Sequence, residues 1–122
     1  KKPLFKISSH IYYDENFEPF FSLHEHKKII LNIQNKDLPL SAKQQAILIS
    51  NSELKDKIKS VIFDQTEGWI LDFNDYKVLL GKKELQARLK KITKLTNKLN
   101  KKDLKNKFLD LRYPKGFVIK NL

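Results

Sequence analysis

The end of the chain constrains the fold more than any other stretch. Two apolar, alternating runs at 108–113 and 117–119 flank the turn Pro114-Lys115-Gly116. Proline presets the backbone angle of a turn and glycine accepts a positive φ, so this pattern predicts a β-hairpin. Because the hairpin closes the chain, we expect its last strand to be a sheet edge. Free backbone N–H and C=O groups on such an edge can receive a strand from another protein.

The remaining hydrophobic pattern predicts an α+β domain. Short β-prone or alternating runs indicate strands at 10–13, 17–21, 28–33, 58–63, 68–73 and 76–80. Helical periodicity predicts helices at 41–52 and 85–99, and a basic loop follows at 100–106. This order favours a mostly antiparallel β-sheet with two helices packed on one face or end. We expect residues 1–122 to form a single domain, because the length suits one hydrophobic core.

Local signals refine this picture at three places. Pro19 has no N–H to donate, so its strand is predicted to be short or to lie at an edge. Ser41 precedes the first apolar helical run and is the expected N-cap. Trp69, Leu71 and Phe73 alternate with other residues and are expected to share the buried face of one strand.

Lysine dominates the charge of the chain. There are 25 Lys+Arg against 14 Asp+Glu, for a formal net charge of +11, and the arginines are Arg88 and Arg112. Proteins that read nucleic acids favour arginine for its planar fork, so a lysine excess weakens that interpretation. Lys90, Lys94 and Lys98 nevertheless give the second predicted helix a cationic face. A small nucleic-acid-binding domain acting through this helix is the alternative function, and an anionic membrane or acidic protein is a further option.

No residue pattern predicts an enzyme. The chain has no cysteine and only three isolated glycines, so it lacks a disulfide framework, a thiolate metal site and a glycine-rich phosphate loop. The carboxylates between residues 64 and 75 lie at expected turns, where acids are ordinarily solvated. His24 and His26 share one strand face, but no third ligand follows at a standard metal spacing. We predict no catalytic residue, metal or cofactor, and no apolar run is long enough to span a membrane.

Arg112 is the charged residue with the clearest binding potential. On the predicted strand 108–113, Leu109, Leu111 and Tyr113 are expected to enter the core. Phe108, Asp110 and Arg112 are expected to project from the opposite face. A surface Arg–Asp pair usually contributes little to stability, and a guanidinium fork suits a partner carboxylate. We therefore expect Arg112→Glu to leave the fold intact and to weaken partner binding.

Several segments, in this order, resemble the FtsQ/DivIB family of bacterial cell division proteins. The segment DLRYPKGF at 110–117 resembles the closing motif of that family, and GWILDFNDYKVLLG at 68–81 resembles its strand–turn–strand–glycine run. Arg88 and Leu89 on the following predicted helix are similar to the R-L pair of the family. Upstream, HIYYDENFEPF at 10–20 is similar to a family strand with an acidic turn.

The resemblance implies a non-enzymatic scaffold of the divisome. In that family, one transmembrane helix and a POTRA domain precede a β domain, which lies in the periplasm at the division septum of the inner membrane. The family binds FtsB and FtsL and helps to couple the cytoplasmic division ring to septal peptidoglycan synthesis. The resemblance further implies that FtsB adds a strand to the terminal strand and places acidic residues near the arginine of the DLRY motif.

Carried over to this chain, the resemblance implies a partner-binding site at its C-terminal end. The implied residues are Arg112, Tyr113, Lys115, Gly116, Phe117, Val118 and Ile119. Arg112 is the expected ion-pair donor, and 117–119 is the expected receiving edge. The family often has an aromatic residue shortly after the final strand, whereas this chain ends Lys120-Asn121-Leu122.

Overall fold

The computed structural model describes residues 3–23, 31–33, 38–99, 101–113 and 116–121. Within these ranges the chain forms nine strands and three helices. The strands are β1 (Pro3–Ser8), β2 (Ile11–Asp14), β3 (Pro19–Phe21), β4 (Leu31–Ile33), β5 (Ser60–Asp64), β6 (Gly68–Asp72), β7 (Lys77–Gly81), β8 (Lys107–Asp110) and β9 (Val118–Asn121). The helices are α1 (Leu40–Ser50), α2 (Leu85–Lys98) and α3 (Lys101–Leu104).

The nine described strands form one hydrogen-bonded sheet in the order β3-β2-β1-β4-β5-β6-β7-β8-β9. Among the described strands, five neighbouring pairs are antiparallel, and three pairs, β1–β4, β4–β5 and β7–β8, are parallel. The predicted α+β class is confirmed. The prediction of a mostly antiparallel sheet with two helices holds only in part, because the sheet is mixed and a third helix is present.

Helical crossover connections account for two of the three parallel pairs, which the sequence pattern did not indicate. Parallel neighbours need a long connection, usually a helix. Here α1 lies between β4 and β5 along the chain, and α2 and α3 lie between β7 and β8. The helix α3 occupies part of the predicted loop at 100–106, so that loop prediction is wrong for residues 101–104. Strand direction is set by these distant pairings and not by local hydrophobic periodicity.

The helix-covered face of the sheet supplies the core. Leu71 pairs with Val78, and Val78 pairs with Leu109, so these residues form one row across three strands, and all are fully buried. Trp69 and Phe73 flank Leu71 on the same face and are also buried, which confirms the predicted alternation. Because a slip of one residue would turn this row toward solvent, burial of the row fixes the strand register.

Both longer helices pack on this core through one face. The buried residues of α1 are Ala42, Ala46, Ile49 and Ser50, and those of α2 are Leu85, Leu89 and Ile92. Burial of Leu85, Leu89 and Ile92 at helical spacing agrees with the periodicity that predicted the second helix.

The start of α1 differs from the prediction. Pro39 precedes the helix, its carbonyl oxygen accepts a hydrogen bond from the Ala42 N–H, and no side chain caps the helix. The prediction of Ser41 as N-cap is therefore wrong, because the N-cap is Pro39, two residues earlier, where the missing N–H of proline costs no helical hydrogen bond. The helix ends at Ser50, close to the predicted end at residue 52.

The amino-terminal strands form the other edge of the sheet. Pro19 begins β3, which has three residues and lies at the sheet edge, so the prediction from proline is confirmed. The turn before β3 is closed by Asp14, whose Oδ1 accepts hydrogen bonds from the N–H groups of Asn16 (2.8 Å) and Glu18 (2.9 Å). Of the strand predicted at 28–33, the structure describes residues 31–33, and His24 and His26 lie outside the described residues.

Candidate functional site

The strand β9 forms the second edge of the sheet. It pairs antiparallel with β8, with Leu109 opposite Ile119 and Asp110 opposite Val118. The described residues thus confirm the predicted hairpin strands, while Pro114 and Lys115 of its turn lie outside the described residues. Every residue of β9 is exposed. The side of β9 that faces away from β8 therefore presents strand backbone to solvent.

Arg112 lies beside this edge and is held by Asp110. The guanidinium Nε donates to Asp110 Oδ1 (3.0 Å) and Nη2 donates to Asp110 Oδ2 (2.9 Å). The backbone N–H of Arg112 also donates to Asp110 Oδ1 at 3.1 Å. The side chain of Asp110 is only 1% exposed, whereas that of Arg112 is 38% exposed. A buried carboxylate therefore fixes the orientation of a partly exposed guanidinium.

The environment of the pair shifts both ionisations in favour of the charged forms. Burial alone would raise the pKa of Asp110, but hydrogen bonds and charge from Arg112, with a contact from Lys120 Nζ at 3.4 Å, lower that pKa below its usual value. The hydrogen bond to Asp110 raises the pKa of Arg112 in turn. Both groups are therefore charged at neutral pH.

Two further residues of the motif segments, Arg88 and Gly81, lie against Arg112. Arg88 of α2 donates from Nη1 to the Leu80 carbonyl oxygen at 2.6 Å and from Nη2 to the Arg112 carbonyl oxygen at 3.4 Å. Gly81 has a φ of +83°, and a Cβ there would lie 2.6 Å from Arg88 Nη1 and 3.0 Å from Arg112 Cγ. Gly81 thus leaves the space into which both arginines pack.

Glu67 contacts the other side of the guanidinium. Its Oε2 accepts a hydrogen bond from Arg112 Nη1, and its side chain is 45% exposed. Glu67 belongs to the turn between β5 and β6, where its backbone N–H donates to Asp64 Oδ2 at 2.7 Å. The sequence interpretation missed this contact because 45 residues separate Glu67 from Arg112, and no local pattern signals such a pair.

The structure corrects two predictions about the DLRY segment. Tyr113 is 44% exposed, so the prediction that it enters the core is wrong, although Leu109 and Leu111 are buried as predicted. The strand β8 ends at Asp110, and the alternation of faces does not continue beyond a strand end. Asp110 is buried, so the expected exposed Arg–Asp pair is also wrong.

The remaining site residues lie around the hairpin. Val118 is 36% and Ile119 is 41% exposed on β9. Phe117 is partly buried and packs against the core. Gly116 is exposed with a φ of +85°, and its carbonyl oxygen accepts a hydrogen bond from Lys91 Nζ of α2 at 2.5 Å. Lys115 lies outside the described residues.

A depression of about 300 Å³ lies between this edge and the middle of the sheet. Its floor contains Ile70, Leu79 and Phe108, which lie on the face opposite the helices, and Arg112 and Lys120 are among its polar walls. Its polar lining also includes the carboxylates of Asp110 and Glu67, so apolar surface adjoins the ion-paired Arg112 at this depression.

Three further features considered from the sequence are a cationic helix face, metal ligands and membrane spans. Lys90, Lys94 and Lys98 of α2 are exposed, as expected for its cationic face. Within the described ranges, no three His, Cys, Asp or Glu side chains are grouped so as to hold a metal ion. No helix among the described residues has the length and apolar character that crossing a membrane requires.

Comparison with known protein families gives one match. The family model described as cell division protein FtsQ/DivIB, C-terminal, matches residues 22–112. The match includes the strand–turn–strand run, Arg88 and the Asp110–Arg112 pair, and it ends before β9. A search of curated proteins gave no match.

Proposed function

The chain belongs to the FtsQ/DivIB family of cell division proteins, and we propose that residues 1–122 are the periplasmic β domain of a divisome scaffold. This family is non-catalytic and acts in cell division. In our proposal, an upstream transmembrane helix and POTRA domain anchor the domain in the bacterial inner membrane at the septum. The domain binds FtsB- and FtsL-type proteins and helps to couple the division ring to septal peptidoglycan synthesis.

The observation that carries this proposal is the open β9 edge beside an oriented arginine. A partner segment in extended conformation adds to β9, and its backbone forms ladder hydrogen bonds with the outward N–H and C=O groups of residues 118–121. These bonds give affinity without selecting a sequence. Arg112 supplies selection, because its guanidinium is fixed by Asp110 and partly exposed.

The charges around β9 indicate an acidic partner. Lys107 at the start of β8 and Lys120 on β9 accompany Arg112 at this edge, and the chain has a formal net charge of +11. Opposite charge on the partner speeds the encounter and fixes the register of the added strand. Tyr113, Val118 and Ile119 add exposed apolar surface next to these cations.

Amide hydrogen exchange with and without an FtsB-type partner tests strand addition directly. We expect the partner to slow exchange at alternating amides of residues 118–121, since only every second N–H of an edge strand points outward. The edge strand β3 is the internal control, and its amides at Phe20 and Phe21 are expected to keep their exchange rates. Binding that leaves the β9 amides unchanged would contradict strand addition at this edge.

The structure also changes the choice of variant for Arg112. Arg112→Glu would place three carboxylates together, because Asp110 and Glu67 both contact the present guanidinium. The expectation that this substitution leaves the fold intact therefore no longer holds. Arg112→Gln is the better test, since it removes the charge and retains hydrogen-bonding capacity without adding an anion. We expect it to weaken binding of the acidic partner.

A further inference from the structure

Glu67 covers part of the guanidinium that the proposed partner would use. Its carboxylate accepts from Arg112 Nη1, on the side of the guanidinium that Asp110 leaves open. We infer that Glu67 holds the place of a partner carboxylate on Arg112 and thereby lowers the affinity of β9 for acidic segments. This inference rests on the proposed function.

Glu67 is not needed to orient the arginine. Asp110 accepts from Nε and Nη2 with both carboxylate oxygens and also from the Arg112 backbone, and it is buried. The Arg112 carbonyl oxygen is held in addition by Arg88. A bidentate pair with a buried carboxylate fixes the plane of the guanidinium, so loss of Glu67 leaves its position unchanged.

Glu67 is also free to move aside. Its side chain is 45% exposed, and its backbone is held separately through the Asp64 carboxylate. Thr66 is held by the same carboxylate at 3.0 Å, so the turn keeps its shape when the Glu67 side chain rotates. Displacing this carboxylate therefore requires only a rotamer change and exchange of an exposed ion pair, which costs little.

A partner carboxylate that binds Arg112 is repelled by Glu67 even when Glu67 stays in place. A guanidinium has five N–H donors, and the contacts among the described residues use Nε, one N–H of Nη2 and one N–H of Nη1. A second carboxylate at the remaining Nη donors lies close to Glu67, and like charges repel there. Glu67 therefore weakens the binding of acidic segments in general. The segments least affected are those whose carboxylate displaces Glu67 and contacts Arg112 directly.

Titration of four forms of the chain tests this inference. The forms are the wild type, Glu67→Gln, Arg112→Gln and the double variant, and the probe is a synthetic peptide of the acidic segment of an FtsB-type protein from the same cell. A second peptide with its Asp and Glu replaced by Asn and Gln serves as the uncharged probe. Glu53→Gln is the matched control, since Glu53 is exposed and lies on the loop after α1.

We expect Glu67→Gln to bind the acidic peptide about two- to fivefold more tightly at low salt, as the range for exposed ion pairs implies. The gain should disappear in the Arg112→Gln background, with the uncharged peptide and at high salt. Glu53→Gln should show only the small change that follows from one unit of net charge.

Each of the following results would overturn the inference. Weaker binding by Glu67→Gln would assign Glu67 a positioning role. An equal gain in Glu67→Gln and Glu53→Gln, or a gain that persists without Arg112, would reduce the effect to net charge. If Glu67→Gln binds the acidic peptide as the wild type does, Glu67 does not compete and the proposed function stands. If no form binds either peptide, the proposed function fails and the inference fails with it.

Discussion

The two edges of the sheet expose apolar side chains but differ in what their backbones offer. On β3, Phe21 is 66% exposed, and on β9, Ile119 is 41% exposed. The strand β3 has three residues and begins with Pro19, which has no N–H, whereas β9 has four residues and no proline. A proline and a short length blunt an edge against strand addition. Apolar exposure alone therefore does not distinguish the edge that we propose to receive a partner strand.

A buried aspartate lies near each edge, and the two aspartates hold different groups. Asp14, at the end of β2, accepts hydrogen bonds from the backbone N–H groups of Asn16 and Glu18 and closes a turn. Asp110, at the end of β8, holds the side chain of Arg112 beside solvent. The first carboxylate completes the fold locally, and the second orients a charge that a partner can reach.

Substitution of Gly81, on the β9 side of the sheet, is expected to give the largest effect on stability. Gly81→Ala should lower the free energy of unfolding by about 2–3 kcal/mol, because φ is +83° and the new Cβ meets both arginines. Gly116→Ala is the matched control, since Gly116 has a φ of +85° but no atom within 4 Å of the added Cβ. Its expected cost is about 1 kcal/mol. Urea unfolding measures both, and equal losses would show that the packing of Arg88 and Arg112 on Gly81 is unimportant.

Aspartate substitutions at the two edges are expected to differ in their effect on partner binding. Ile119→Asp should weaken binding of an acidic FtsB-type segment about tenfold, because it adds a negative charge and removes apolar surface at the receiving strand. Phe21→Asp makes the same kind of change on β3 and should leave binding unchanged. Isothermal titration provides the comparison, and a loss of binding in the β3 variant alone would exchange the roles of the two edges.

Low pH is expected to destabilise the fold through protonation of Asp110, beside the β9 edge. Because the folded state lowers the pKa of Asp110, this carboxylate contributes stability above its unfolded pKa of about 4. That contribution is lost as the pH falls through the lower folded value. The wild type should therefore lose more stability below pH 4 than Asp110→Asn does, as measured by denaturant unfolding at several pH values. Parallel pH profiles of the two proteins would contradict the lowered pKa.

Lys91 is expected to give the smallest effect. Lys91→Ala removes the hydrogen bond from α2 to the Gly116 carbonyl oxygen, but the contact is exposed. The unfolding free energy should change by less than about 0.5 kcal/mol. Lys94→Ala, on the same helix, is the control. A large loss of partner binding in Lys91→Ala alone would show that the β9 edge depends on its tether to α2.

Local pattern predicted the elements of the fold better than their arrangement. The proline in β3, the alternation of Trp69, Leu71 and Phe73 and the paired strands of the terminal hairpin are each encoded within a few residues. Strand direction is not encoded in that way, so the parallel pairing of β7 with β8 was missed. It depends on a crossover through α2 and α3.

The sequence predicted the position of Arg112 better than the surroundings of its side chain. Arg112 is beside the edge as expected, but Tyr113 faces solvent because β8 ends at Asp110. The Leu111 N–H still donates to Leu79 at 3.1 Å, and the chain then leaves the strand path. Glu67 was assigned to a solvated turn, because its partner lies far away in the sequence.

The long sequence separations within this site have a consequence for folding kinetics. The turns β5–β6–β7 close within a few residues, whereas Arg112 meets Arg88 across 24 positions and Glu67 across 45. Contacts of high sequence separation generally form more slowly than local ones. The antiparallel strands β5, β6 and β7 are therefore expected to form early. Arg112 is oriented only after β8 has paired with β7. Under the proposed function, a newly made chain would become able to bind its partner only late in folding.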